Sequence, residues 1–429
     1  MKITSTLIIA LLLLTKQSLT AQQTLPILRS NSNTLSIRDG KIFRQHTWKL
    51  DPKAKPDIYY TGLPQKETKI TFISDVDSIS FDVKYGKTYD FIVLLKHKDT
   101  CYTMISANYE GINHPIKLNR PANRPDTIPF TLQNSRIYFK GQVNGKKDLT
   151  FQFDLGAGGS FINYQSVTKA GINFDGKTLV TNTHGTNEEP TSSQNNICIA
   201  GLRWENVKVI QVKNMDKNED LIIGNSLFAD QIIELNYDQK ILIVHHQLPD
   251  VSKGYSKHEV RFEQHRPSIE ATIHLNGKAY TDWFLFDTGR AGTMMIGKSF
   301  VDKFGLWNDF NSILSWGDKK IVVIPKITIG QLSFTDIVTN AQDPKSSSSR
   351  ATLLGNELLN HFNVILDNPN GIIYLKPNSL QQKTYSDLNQ LKTTGLYMLI
   401  GVLLFITAFV ICIRKWIKYW KNRTTKKSL

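Results

Sequence analysis

Asp154-Leu155-Gly156 and Asp287-Thr288-Gly289 each place an aspartate, and a glycine two residues on, at the end of an apolar run. A strand ending at such an aspartate sets the carboxylate in the loop that follows. The glycine lets that loop turn tightly and brings backbone N–H groups close to the carboxylate. If the two segments face one another, two carboxyls share one small volume and cannot both ionise cheaply. They then hold one proton between them, one acting as a base toward water and the other as an acid toward a carbonyl. The plainer alternative is a pair of turn-capping aspartates with no chemistry.

The elements that position these residues are repeated along the chain. Lys140-Gly141-Gln142-Val143-Asn144-Gly145-Lys146 leads to LTFQFDLGAGGSFI (149–162), and Ala271-Thr272-Ile273-His274-Leu275-Asn276-Gly277-Lys278 leads to DWFLFDTGRAGTMMI (282–296). Downstream, 220–244 resembles 351–375, and Asp154 precedes Gly224 by 70 residues as Asp287 precedes Gly355 by 68. Two motifs in the same order at nearly the same spacing make a duplicated unit. Phe151 and Phe153 alternate with Thr150 and Gln152, the period of a strand. A two-fold arrangement of the halves would bring Asp154 to Asp287.

These residues resemble the retropepsin-like and pepsin-like aspartic protease family over about 136–377. Asp287-Thr288-Gly289 with Thr293-Met294-Met295 fits that family's pattern, and Asp154-Leu155-Gly156-Ala157 with Ser160-Phe161-Ile162 fits except at Leu155. Ile222-Ile223-Gly224-Asn225 and Leu353-Leu354-Gly355-Asn356 match the two hydrophobics and glycine that end each lobe. The resemblance implies a two-lobed, mainly all-β fold and an aspartic endopeptidase acting on a polypeptide. It implies catalytic Asp154 and Asp287, with Gly156, Ser160, Thr288, Gly289 and Thr293 supporting them and no cofactor or metal. Both lobes lie in one chain, so dimerisation is not required for the dyad. A glycosidase would also use paired carboxylates, but the duplicated Asp-x-Gly favours the peptidase.

Two departures from the pattern matter. Leu155 lacks the hydroxyl that bonds across to the partner loop, leaving Thr288 to hold its side, and Leu155→Thr is expected to restore that bond and stabilise the fold. Arg290 stands where the family has a small residue. It is expected to point outward, since a guanidinium on the dyad would keep both carboxylates ionised. The alternative function is therefore a catalytically inactive protein of this fold that binds peptides or a partner. Hairpins over Thr181–Cys198 and 312–323 are the candidate substrate covers.

Other signals weigh less. Residues 292–299 satisfy the phosphate-loop pattern G-x-x-x-x-G-K-[ST]. Their apolar Met294-Met295-Ile296 interior makes a poor phosphate cradle, and the other copy of the repeat has no lysine there. No nucleotide is expected. His245-His246 has no neighbouring ligand spacing for a metal. The net charge of +15 is concentrated at the ends, with seven cations in 414–429 and two in 1–21 and no acid in either. No basic stripe with interleaved aromatics exists, so no nucleic-acid partner is expected. Three cysteines in 429 residues exclude a disulfide-built scaffold, and whether Cys101 and Cys198 pair is left open.

The ends supply an address. Residues 1–21 carry the charged, apolar and small-residue regions of a secretory signal peptide. Gly395–Ile413 is uncharged throughout and followed at once by Arg414, Lys415, Lys418 and Lys421 among aromatics. This is the pattern of one membrane-spanning helix with a cytoplasmic tail at 414–429. The expected protein is an exported single-pass membrane protein with its catalytic part outside the cytoplasm. Between the ends lie a small β-sandwich-like domain (22–111), a Pro-rich linker (112–130), two lobes (131–247 and 255–378) and a juxtamembrane linker (379–394).

Overall fold

The computed structural model describes residues 24–416 apart from 41, 53–55, 62–66, 85–86, 108–116, 120–125, 183–184, 252–253, 347–349, 389–390, 392, 394–400 and 402–404. The described residues form two compact units, 24–107 and 117–416.

The smaller unit has two four-stranded sheets. One orders Ile27–Ser30, Thr88–Leu95, Asp99–Ser106 and Asp57–Tyr60; the other orders Ile42–Lys49, Thr34–Asp39, Thr68–Ile73 and Ser78–Val83. Alternation makes the sheets one-sided, as in Thr68–Ile73, where Ile70 and Phe72 are buried and Lys69 is exposed. Inward residues of both sheets, among them Leu35, Phe72, Phe91 and Ile105, form one apolar core. The rings of Trp48, Tyr59 and Phe72 meet edge to face.

The larger unit contains the duplication. Its first lobe orders Thr131–Gln133, Arg136–Val143, Lys146–Phe153, Leu221–Ile223, Ser160–Asn163, Leu202–Val212, Gly185–Ile199 and Gly176–Asn182. Its second lobe orders Arg261–Glu263, Arg266–Leu275, Lys278–Asp287, Leu353–Gly355, Met294–Ile296, Leu332–Gln342, Lys319–Ile329 and Asn311–Trp316. The strand order is the same in both. The repeated Asn-Gly pairs turn the hairpins that lead to the aspartates, with φ of 49° and 78° at Asn144-Gly145 and 52° and 75° at Asn276-Gly277. Two left-handed residues suit the twist of a two-residue hairpin, and Asn and Gly adopt them cheaply.

A six-stranded sheet joins the lobes in the order Thr127–Pro129, Ile241–His245, Ile232–Asn236, Phe362–Asp367, Ile372–Pro377 and Ser256–Glu259. Its central contact, Ile233 opposite Leu366, relates three strands of one lobe to three of the other. Phe362–Asp367 is buried along its whole length, which accounts for an apolar run without alternation.

Within the stretch expected to be a linker, Lys117–Asn119 pairs with Leu202–Val212 and Thr127–Pro129 with Ile241–His245. Pro129 is tolerated because it ends an edge strand. Pro115, Pro121 and Pro125 lie outside the described residues, as do 1–21 and 417–429. Residues 405–416 are helical and exposed, while 395–400 and 402–404 of the expected span lie outside the description. Among the described residues no helix is long and apolar enough to cross a membrane. Cys101 and Cys198 are free.

Candidate active site

Strand Lys146–Phe153 delivers Asp154, and strand Lys278–Asp287 delivers Asp287. Each is held by a parallel neighbour from the downstream motif, Phe153 opposite Ile223 and Asp287 opposite Gly355. Asp154 N–H donates to Ile223 O at 2.9 Å. The duplicated motif thus clamps the strand end from which each carboxylate emerges.

The two aspartates meet. Gly289 N–H donates to Oδ1 of both, at 3.1 Å to Asp154 and 3.0 Å to Asp287, and the carboxyls hydrogen-bond each other. Gly156 N–H adds a bond of 2.7 Å to Asp154 Oδ1, and Arg290 N–H one of 2.9 Å to Asp287 Oδ1. The glycines are obligatory. A Cβ on Gly156 would lie 2.6 Å from Asp287 Cγ, and one on Gly289 would lie 2.2 Å from Asp154 Cγ.

Burial raises both carboxyls above the ordinary Asp value. The neighbouring Asp287 charge pushes Asp154 further, against the Gly156 and Gly289 N–H bonds. Asp287 rises less, because the Arg290 N–H, its bond from Asp154 and the Arg290 charge oppose burial. The pair as a unit therefore holds a proton at a pH where an ordinary aspartate has lost it.

Thr288 ties the loops together. Its hydroxyl donates to Phe153 O at 3.2 Å and accepts from Leu155 N–H at 2.9 Å. Leu155 has no hydroxyl to return the grip, but it is fully buried in the apolar core. That burial reverses the expected benefit of Leu155→Thr. Burying a leucine is worth about 1.5–3 kcal/mol, against about 0.5–1.5 kcal/mol for a new hydrogen bond. Leu155→Thr is expected to lower the Tm, read by thermal unfolding. A raised Tm would mean that the missing bond outweighs the packing.

The supporting residues divide. Gly156, Thr288 and Gly289 touch the carboxyl pair or its loops. Thr293 Oγ1 instead donates to Val338 O at 3.2 Å, and Ser160 Oγ is buried without a hydrogen-bond partner. Ser160 opens the strand Ser160–Asn163, and Thr293 immediately precedes the strand Met294–Ile296.

Arg290 is not directed into solvent. Its side chain is partly buried against Gly292 and Gly355, with Cγ only 3.1 Å from where a Gly355 Cβ would be. The reason is local: the Asp287 loop must pass the glycine of the downstream motif, and Arg290 O accepts from Asn356 N–H there. Its guanidinium acts on Asp287 through space and forms no ion pair with it among the described residues.

Sequence reasoning missed the asparagines that follow each downstream glycine. Asn225 Nδ2 donates to His265 O at 2.9 Å, and Asn356 Nδ2 donates to Ser135 O. Each bond crosses to the other lobe, onto a two-residue turn with positive φ, Gln264-His265 or Asn134-Ser135. Their repetition after Gly224 and Gly355 was the available signal.

The hairpins proposed as covers are Gly176–Asn182 with Gly185–Ile199, and Asn311–Trp316 with Lys319–Ile329. In the second, Ile313, Leu314 and Trp316 are exposed. The phosphate-loop pattern folds otherwise: Met294–Ile296 is a buried strand, and Lys298 Nζ donates to Ser346 O at 3.0 Å. His245 pairs with Glu234 and His246 with Asp126. No cluster of possible metal ligands occurs among the described residues.

Residues 139–227 match the family model described as aspartyl protease, a span that includes Asp154 and Gly224. Among solved structures, the fold is similar to the aspartic proteinase from Irpex lacteus, at 10% identity and a TM-score of 0.43, covering 62% of this chain and 100% of that one. A search of curated proteins finds no match.

Proposed function

From its aspartic protease-like family resemblance and the geometry of its carboxyl pair, we propose that this chain is an aspartic endopeptidase that activates water between Asp154 and Asp287. The observation that carries the reading is one N–H, that of Gly289, donating to both carboxyls while burial raises both. Asp287 takes a proton from the water, and the oxygen attacks the peptide carbonyl carbon. Asp154 gives its proton to the carbonyl oxygen, forming a neutral tetrahedral diol. Asp287 then protonates the leaving nitrogen, Asp154 recovers a proton from the diol, and the C–N bond breaks. General acid and base help of this kind contributes about 10²–10⁴-fold in rate.

The through-space charge of Arg290 on Asp287 favours a second reading, an inactive binder. The net upward direction at both carboxyls weighs against it. Incubating the full-length protein in detergent with a mixed peptide library across pH decides between the two. Cleavage is expected in acid and is expected to fall as pH rises through the raised Asp154 value, because the acid is then lost. Absence of cleavage at every pH would leave the binder.

We also place the protein at a membrane, exported through 1–21 and anchored by 395–413, with 414–429 in the cytoplasm. The basis is the apolar run and the seven cations that follow it. A reporter fused after Leu429 is expected to be active only in the cytoplasm. Activity on the exported side would overturn the orientation.

A further inference from the structure

One side chain crosses from the first lobe onto the loop that carries Asp287. Gln152 Nε2 donates to Gly289 O at 3.2 Å, a contact between residues 137 apart in the chain. Only the nitrogen of a glutamine amide can donate to a carbonyl, so the bond fixes which way the amide faces. Gln152 lies two residues before Asp154, on the strand Lys146–Phe153. Alternation puts it on the face opposite Phe151 and Phe153, which fill the apolar core. It is nevertheless only 3% exposed. The equivalent residue of the second lobe, two before Asp287, is Leu285, which has no donor to offer.

The bond matters because of what Gly289 does. Its N–H donates to Oδ1 of both aspartates. Its carbonyl belongs to the same peptide group as Arg290 N–H, which donates to Asp287 Oδ1 at 2.9 Å. Gln152 Nε2, the Gly289–Arg290 peptide and Asp287 Oδ1 therefore form one chain of hydrogen bonds. A carbonyl that accepts makes the N–H of its own peptide a stronger donor, and the planar peptide passes orientation from one end to the other.

The two lobes thus grip each other's loops with different residues. Thr288 reaches from the second lobe to Phe153 O and Leu155 N–H. Leu155, at the matching place in the first lobe, has no hydroxyl to reach back. Gln152 makes the return contact at Gly289, the residue after Thr288.

We propose that Gln152 is a positioning residue for the carboxyl pair: its amide takes the place of the hydroxyl that Leu155 lacks and holds the Gly289–Arg290 peptide with its N–H on Asp287. Its effect on cleavage rests on the peptidase reading; the hydrogen-bond chain is measurable without it.

Gly289-Arg290 is the one Gly-Arg pair in the chain. Glycine labelled with carbon-13 at the carbonyl, together with nitrogen-15 arginine, therefore labels a single peptide group at both ends. One NMR signal, recorded on full-length protein in detergent, reports the carbonyl that Gln152 holds and the N–H that Asp287 accepts. The variants are Gln152→Met, which keeps the length without a donor, and Gln152→Leu, the residue that the second lobe holds at this place, should the first not fold. Loss of the donor is expected to move the Gly289 carbonyl signal upfield. The pH midpoint reported by Arg290 N–H should move upward, because a less firmly held N–H stabilises the ionised Asp287 less. Arg290 and Arg136, the cations that interact with the pair through space, are unchanged in either variant. Cleavage is expected to fall about ten-fold in kcat with KM little changed, as for a misplaced reacting group. The acid limb of its pH profile should move to higher pH with the midpoint.

A carbonyl signal and midpoint unchanged in the variants would overturn the proposal. So would reduced cleavage with an unchanged midpoint, the mark of a merely structural contact. If wild type cleaves no peptide but the signal and midpoint move in the variants, the peptidase reading fails and the positioning role stands. If wild type cleaves and the variants match it at every pH, the positioning role fails alone.

Discussion

Replacing either member of the pair, as Asp154→Asn or Asp287→Asn, is expected to reduce peptide cleavage by about 10⁴-fold or more, at or beyond the top of the range for general acid–base groups. One amide stops the cycle, because each carboxyl in turn gives and takes a proton and an amide at either position can do neither. The double variant should be little worse than either single one, as for residues that act as a unit. Folding should survive and improve in a pH-dependent way. The raised Asp154 value means that the native state favours the protonated form. Its stabilising contribution is full below the ordinary Asp value and is lost as pH rises through the folded-state value. Asp154→Asn should therefore raise the Tm at neutral pH and leave it nearly unchanged in acid. Wild-type cleavage by either single variant would remove the pair from the mechanism.

Gly289→Ala should be nearly as damaging to activity, for a steric reason. The new methyl group would lie 2.2 Å from Asp154 Cγ and 2.3 Å from its Oδ2. Real Cβ atoms do not approach so closely, so the carboxyl must move, and the shared Gly289 N–H bond to both aspartates must break with it. The expected results are cleavage reduced to the level of the Asn variants and a destabilisation of about 1–3 kcal/mol, as for overpacked sites. Gly159→Ala, in the loop that follows Asp154, is the control, since nothing lies within 4 Å of its Cβ position. If Gly289→Ala kept wild-type activity, the two carboxyls would not depend on the contact described.

The parts of this site that were legible in the sequence are those written twice. The Asp-x-Gly ends, the Asn-Gly hairpins and the downstream glycines recur in order, and each occupies an equivalent place in the two sheets. Repetition also marked Thr288 as the surviving half of the loop contact, which its bonds to Phe153 and Leu155 express. What the sequence concealed depends on which lobe a side chain meets. Nothing local to Asn356 says that its amide reaches the Ser135 carbonyl, more than two hundred residues away. Leu155 read as a missing hydroxyl, yet its side chain is fully buried in the core onto which the site backs. Arg290 read as a surface cation, and only the passage of its loop beside Gly355 folds it inward. The Pro-rich stretch concealed two short strands, since pairing with Leu202–Val212 and Ile241–His245 overrides local preference.

The central claim is that Asp154 and Asp287 hold one proton between them at a pH where ordinary aspartates are ionised. Carbon-13 labelling of the Asp carboxyls, followed by NMR titration of wild type and the two Asn variants, measures this directly. The account predicts one carboxyl that stays protonated well above about pH 4, the ordinary Asp range, whose raised titration disappears in Asp154→Asn. Titration of both carboxyls in the ordinary range, unaffected by replacement of the partner, would contradict it.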